Sequence, residues 1–108
     1  MINDYYPDAW VILEIRMLDE KKSVHKIFST YNDEFGVPAR WTLNSGIVEA
    51  SKSKNIWKFA GNSGSIYYCD VNKYDLNSLM KVVLNSWCEK NNVKIDVLEL
   101  EDIKEVMK

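Results

Sequence analysis

Histidine and cysteine are scarce. The chain has one histidine, His25, and two cysteines, Cys69 and Cys88, in 108 residues. The cysteines form no Cys-x-x-Cys pair. A structural zinc site takes about four nitrogen or sulfur ligands, so three candidates without ligand spacing argue against one. No cofactor is expected. The first ten residues, MINDYYPDAW, have neither a basic n-region nor an apolar h-region, so no secretory signal is expected there. No run approaches the ~18 apolar residues of a membrane span. These absences predict a cytoplasmic protein with no membrane contact and two reduced, buried thiols. Basic blocks that would neutralise phosphates are also missing. The formal charge is −2, with 14 Lys/Arg and 16 Asp/Glu spread along the chain. Duplex nucleic acid is therefore not an expected partner, and the acidic excess is too small for a DNA mimic.

What is present is core material. A chain of this length makes one domain, here residues 1–108, and buries roughly two thirds of its unfolded surface without metal or disulfide staples. Apolar residues make up 46%, with four Trp, six Tyr and three Phe. Aromatics on this scale supply either a core or a binding face.

Alternation of apolar and polar residues predicts strands. Trp10 to Leu18 places Val11, Leu13, Ile15 and Met17 on one face and Trp10, Ile12, Glu14, Arg16 and Leu18 on the other. The polar turn Asp19 to Lys22 leads into a second strand, Ser23 to Tyr31. Asn32 to Pro38 reads as a loop. Short strands follow at 40–43, 47–50, 56–60 and 65–69, with a polar turn over 51–55. From Leu76 the period changes. Leu76, Leu79, Met80, Val83, Leu84, Trp87 and Cys88 recur at helical spacing, with Asp75 as the expected N-cap and Asn91-Asn92 as the stop. Val93 to Leu98 alternates again, and residues 101–108 form a short terminal helix. The pattern predicts an α+β fold: an antiparallel, meander-like sheet of about five or six strands packed against one long C-terminal helix.

Two Asn-Ser-Gly triplets punctuate the strands, in WTLNSGI (Trp41 to Ile47) and GNSGSIYYC (Gly61 to Cys69). Asn and Gly take positive φ cheaply, and Ser adds a local hydrogen bond, so each triplet reads as a tight turn or bulge at a sheet end. Successive N–H groups in such turns can form an anion-binding nest. Gly-Asn-Ser-Gly-Ser also resembles the nucleophile strip of chymotrypsin-like serine proteases, and the order His25, Asp33, Ser63 matches that family's triad order. The match covers five residues, and the family needs two packed barrels, about twice this length. Ser65 stands where a G-x-S-x-G elbow would have glycine. The segment also lacks the Gly-Lys-Ser/Thr ending of a phosphate loop. A non-catalytic protein is expected, with a small hydrolase using Ser63 as an alternative.

The order W-x-L-N-S-G-I, then Trp57-x-Phe59, then S-G-S-x-Y-x-C (Ser63 to Cys69) resembles small accessory proteins of large tailed bacteriophages, over roughly residues 9 to 74. That resemblance brings no catalytic residues. It implies an accessory protein working in the bacterial host cytoplasm, where it would bind and modulate or inhibit a host factor such as a defence system. A bacterial host protein is thus the first expected partner. A small-ligand or nucleotide-signal binder using the triplet loops, with a small anionic ligand, is the alternative. The candidate binding residues are Arg40, Trp41, Asn44, Ser45, Gly46, Asn62, Ser63, Gly64, Ser65 and Tyr67. The bland reading is that Trp41, Trp57 and Phe59 are core and the triplets only turns. A sheet of this size also has edges, through which homo-oligomers can form.

Overall fold

The computed structural model describes residues 4–19, 22–89 and 92–107. Its strands are β1 (Asp4–Tyr5), β2 (Ala9–Met17), β3 (Ser23–Asn32), β4 (Pro38–Leu43), β5 (Ile47–Ser53), β6 (Ile56–Gly61), β7 (Ile66–Asp70) and β8 (Val93–Val97). Its helices are α1 (Ser78–Cys88) and α2 (Ile103–Val106), the second continuing directly from a 3-10 turn at Leu100–Asp102.

The strands form two four-stranded sheets. The first runs β1-β7-β6-β5 and the second β4-β3-β2-β8. All neighbours are antiparallel except β1 and β7, which run parallel. Trp10, Ile12 and Ile27 of the second sheet pack against Trp57, Phe59, Tyr67 and Cys69 of the first, with Ile103 of α2 closing the same cluster. On the other face of the second sheet, Ala9, Val11, Leu13 and Phe28 pack against Met80 and Leu84 of α1. β2 is therefore buried on both faces, which explains its nearly unbroken apolar first half. Complete burial of one such Leu or Phe side chain contributes roughly 1.5–3 kcal/mol.

This architecture overturns the single meander under one long helix. Among the described residues eight strands lie in two sheets and outweigh the helices, and α1 is only 11 residues long. Alternation shows which residues share a face, but not which strands pair. The chain changes sheet three times, at Pro7-Asp8, at Asn44–Gly46 and, by way of α1, between β7 and β8, and a meander has no such crossings. The expected turn at 51–55 is shorter, because β5 continues through Ser53. Lys54 (φ 55°) then makes the tight reversal into β6.

Asn77, rather than Asp75, caps α1. Its Oδ1 accepts the Met80 N–H at 3.0 Å, and its Nδ2 donates to Thr30 Oγ1 at 2.8 Å, tying the helix start to β3. Asp75 instead uses its backbone N–H to donate to the Trp10 carbonyl. The expected stop at Asn91, the turn residues Glu20 and Lys21, and the terminal Lys108 lie outside the described residues. Cys69 is buried as expected, but Cys88 is exposed, because it falls on the solvent side of the last helical turn. No described helix is long and apolar enough to cross a membrane.

Candidate functional site

The two Asn-Ser-Gly triplets meet. Ile47 pairs with Gly61, and the Asn62 N–H donates to the Gly46 carbonyl at 2.8 Å. The second triplet lies in the β6–β7 hairpin, closed by Gly61 N–H to Ser65 O at 2.8 Å and Gly64 N–H to Gly61 O at 3.0 Å. Three amides that an anion would use, those of Gly61, Asn62 and Gly64, are thus spent on carbonyls. Gly46 (φ 141°) and Gly64 (φ 92°) occupy backbone regions that favour glycine.

The ten candidate residues do not share one surface. Asn44 is buried, and its Oδ1 accepts the Ile27 N–H at 2.7 Å. Tyr67 is buried between the sheets and stacks on Tyr5 at 4.9 Å. Burial pushes its phenol up to about 12, with Tyr31, Tyr5 and Cys69 adding to the effect. Arg40 is exposed with its guanidinium 5.0 Å above the Tyr31 ring. Trp41, the next residue on β4, points to the opposite face, as strand geometry requires. Ser45, Asn62, Ser63 and Gly64 are exposed, while Gly46 and Ser65 are half-buried.

The triad members are held elsewhere. Asp33 Oδ1 accepts the N–H groups of Phe35 and Val37 within its own loop. The nearest acid to His25 is Glu14, whose Oε2 is 4.0 Å from Nε2, too long for a hydrogen bond. Ser63 stands in the exposed β6–β7 hairpin. The Cys69 thiol is pushed strongly upward by burial, which keeps it protonated and unreactive. Among the described residues no group of three or more His, Cys, Asp or Glu could hold a metal.

A different surface gathers aromatic area. On the helix side of the second sheet, Trp41 meets Trp87 edge to face at 5.3 Å, and both lie against Phe28, at 5.9 and 5.1 Å. Trp41 remains 41% exposed. An 11-residue helix is about 16 Å long, against about 30 Å for nine-residue β2. So α1 covers the Ala9–Leu13 half of the sheet and leaves the other half open. There Ile15, Leu43, Trp87, Val93 and Ile95 line a groove of about 190 Å³. Val24, paired with Ile15 and so on the same face, is exposed. Sequence alone counts Trp87 as core because it falls on the apolar stripe of α1. The signal that separates it is its position in the last turn, beyond Leu84. No family model matches the chain, and no curated protein or solved structure matches it either.

Proposed function

We propose that the chain is a non-catalytic recognition module that binds another protein through the open, helix-side face of the second sheet. The observation that carries this reading is the Trp41–Trp87 pair, standing half-exposed beside the groove of Ile15, Leu43, Trp87, Val93 and Ile95. Rigid aromatic anchors next to an apolar pocket are the usual energetic centres of protein interfaces. The groove volume suits one apolar side chain of the partner, and the uncharged lining favours an apolar anchor over an acidic or basic one. The resemblance of the Trp41–Ile47 and Ser63–Cys69 patterns to bacteriophage accessory proteins supplies the setting, with a bacterial host factor as the partner. Affinity capture from bacterial lysate with wild type, Trp41→Ala and Ser51→Ala tests it. One stoichiometric partner should be held by wild type and Ser51→Ala and lost by Trp41→Ala. Equal capture by all three, or no enriched protein with wild type, overturns it.

A second reading, a binder of small anionic ligands, has its own observation. Trp57, Val71 and Leu100 line a cavity of about 300 Å³ together with Lys52, Lys104 and Glu101. Two ammonium groups against one carboxylate leave a net positive mouth. Thermal-shift screening with mono-, di- and cyclic nucleotides checks it, and a flat response across all of them removes it.

A further inference from the structure

β8 is the last strand of the second sheet. In its ladder with β2, Leu98 N–H donates to the Ile12 carbonyl and Leu18 N–H donates to the Asn92 carbonyl, each at 3.0 Å. In an antiparallel ladder the N–H and C=O of one residue point the same way, and the direction alternates along the strand. Even-numbered residues from 92 to 98 therefore face β2. The N–H and C=O groups of Val93, Ile95 and Val97 face the open edge.

The charges on β8 are oddly placed for a strand that stays alone. Asp96 lies directly opposite Glu14, and Lys94 directly opposite Arg16. Like charges across a ladder destabilise it. The opposite charges near them lie along each strand, Arg16 to Glu14 at 3.6 Å and Lys94 to Asp96 at 4.0 Å, or across on β3, where His25 stands 4.0 Å from Glu14; all four β2 and β8 side chains are solvent-accessible. Contacts of this kind are worth little.

We propose that β8 pairs antiparallel with β8 of a second copy of this chain, about a two-fold axis at Ile95, joining the two second sheets into one eight-stranded sheet. This register sets Lys94 opposite Asp96 of the second copy and Asp96 opposite Lys94 of the second copy. It also sets Val93 opposite Val97 and Ile95 opposite itself. The outward groups of Val93, Ile95 and Val97 then form three hydrogen-bonded pairs, about six bonds in all. The Lys94–Asp96 pairs fall at the non-hydrogen-bonded positions, where side chains approach most closely. Each charge that faces a like charge on β2 gains an opposite charge on its other side. Other registers lose this. An axis at Lys94 opposes Lys94 with itself, and an axis at Asp96 opposes Asp96 with itself. A shift to odd register turns outward groups of one strand against inward groups of the other. Two-fold pairing is self-complementary by symmetry, so one strand supplies both halves of the match. The proposal does not rest on the protein-binding reading.

Charge reversal tests it by sedimentation of the full chain. Wild type should show a concentration-dependent dimer. Lys94→Asp and Asp96→Lys should each weaken it by about tenfold or more, because two attractive pairs become two repulsive ones. Mixing the two variants should restore a dimer, the heterodimer, and the double exchange Lys94→Asp/Asp96→Lys should dimerise alone. A second measurement needs no variant. Amide hydrogen exchange at Val93, Ile95 and Val97 should slow as wild type is concentrated and speed up on dilution. A wild type that stays monomeric with these amides unprotected at every concentration overturns the proposal. So does a dimer that both single variants retain, or a mixture of the two that stays monomeric.

Discussion

The Asn44 side chain takes the place of a strand: its Oδ1 accepts the Ile27 N–H at 2.7 Å, while the Asn44 N–H donates to the Ile27 carbonyl at 3.1 Å. β4 pairs with β3 only from Phe28 to Asn32, so without Asn44 the polar backbone of fully buried Ile27 would be left open. The first triplet is thus the point where the chain leaves β4 for the other sheet, and its Asn44 also covers the edge of β3 that β4 no longer pairs.

Asn44→Ala should therefore destabilise the protein by about 1–3 kcal/mol, the cost of a buried backbone donor left unsatisfied. The adjacent, exposed Ser45→Ala should stay within about 0.5 kcal/mol of wild type. Urea denaturation with unchanged m-values measures both. Equal midpoints for the two variants would show that the Asn44 bond does not hold β3.

Most of the strand positions could be read from the sequence, because β2, β3, β6 and β7 are short runs rich in Val, Ile and aromatic residues bounded by polar turns. The sheet partition could not. Trp10 and Val11 are both apolar, and nothing local says that one faces a second sheet and the other a helix. Residue type and sequence proximity place Asn44 and Tyr67 with Ser45 and Ser63, whereas burial separates them. Burial depends on where distant segments pack: Tyr5, from the two-residue strand β1, is what covers Tyr67. The Trp41–Trp87 face was equally hidden, since it is assembled from residues 46 positions apart that meet only once α1 folds across β3 and β4.

The three triplet-region glycines are not equivalent. Gly46 and Gly64 have φ of 141° and 92°, whereas a Cβ at Gly61 would meet its nearest neighbour, Asn44 Nδ2, at an ordinary 3.4 Å. Alanine at Gly46 or Gly64 should cost about 1 kcal/mol or more, from backbone strain. Gly61→Ala should be close to neutral. Thermal unfolding of the three single variants orders them, and a Gly61 variant less stable than the other two would contradict the account.

The two thiols differ in access. Cys69 is fully buried beneath Trp57, its cross-strand neighbour, and Cys88 is exposed. A disulfide reagent should modify one thiol per native chain, and Cys88→Ala should abolish that reaction. The second should appear only in denaturant. Rapid modification of both in native buffer would place Cys69 at a surface.

Tyr74 joins three segments. Its hydroxyl donates to the Leu98 carbonyl at 2.6 Å and accepts the Ile12 N–H at 3.1 Å, while its ring meets Trp10 edge-on at 4.7 Å. Burial raises its phenol to about 12, with the carboxylates of Glu99 and Asp102 adding and the Ile12 N–H bond opposing. A phenol in an unfolded chain ionises near 10. The folded state therefore holds this proton more tightly than the unfolded one. The resulting stability is complete below about pH 10 and is lost as the pH rises from about 10 through about 12. Ionisation also removes the donor to Leu98, so the loss has a structural cause. Tyr74→Phe separates the two effects. At pH 7 it should be less stable than wild type by about 1–3 kcal/mol, because the Ile12 N–H and the Leu98 carbonyl lose their partner. Between pH 10 and 12 wild type should lose stability faster than the variant, so the gap between them narrows. Urea midpoints at pH 7, 10 and 12 measure it. A gap of constant size across that range would mean that Tyr74 ionises as easily in the folded chain as in the unfolded one.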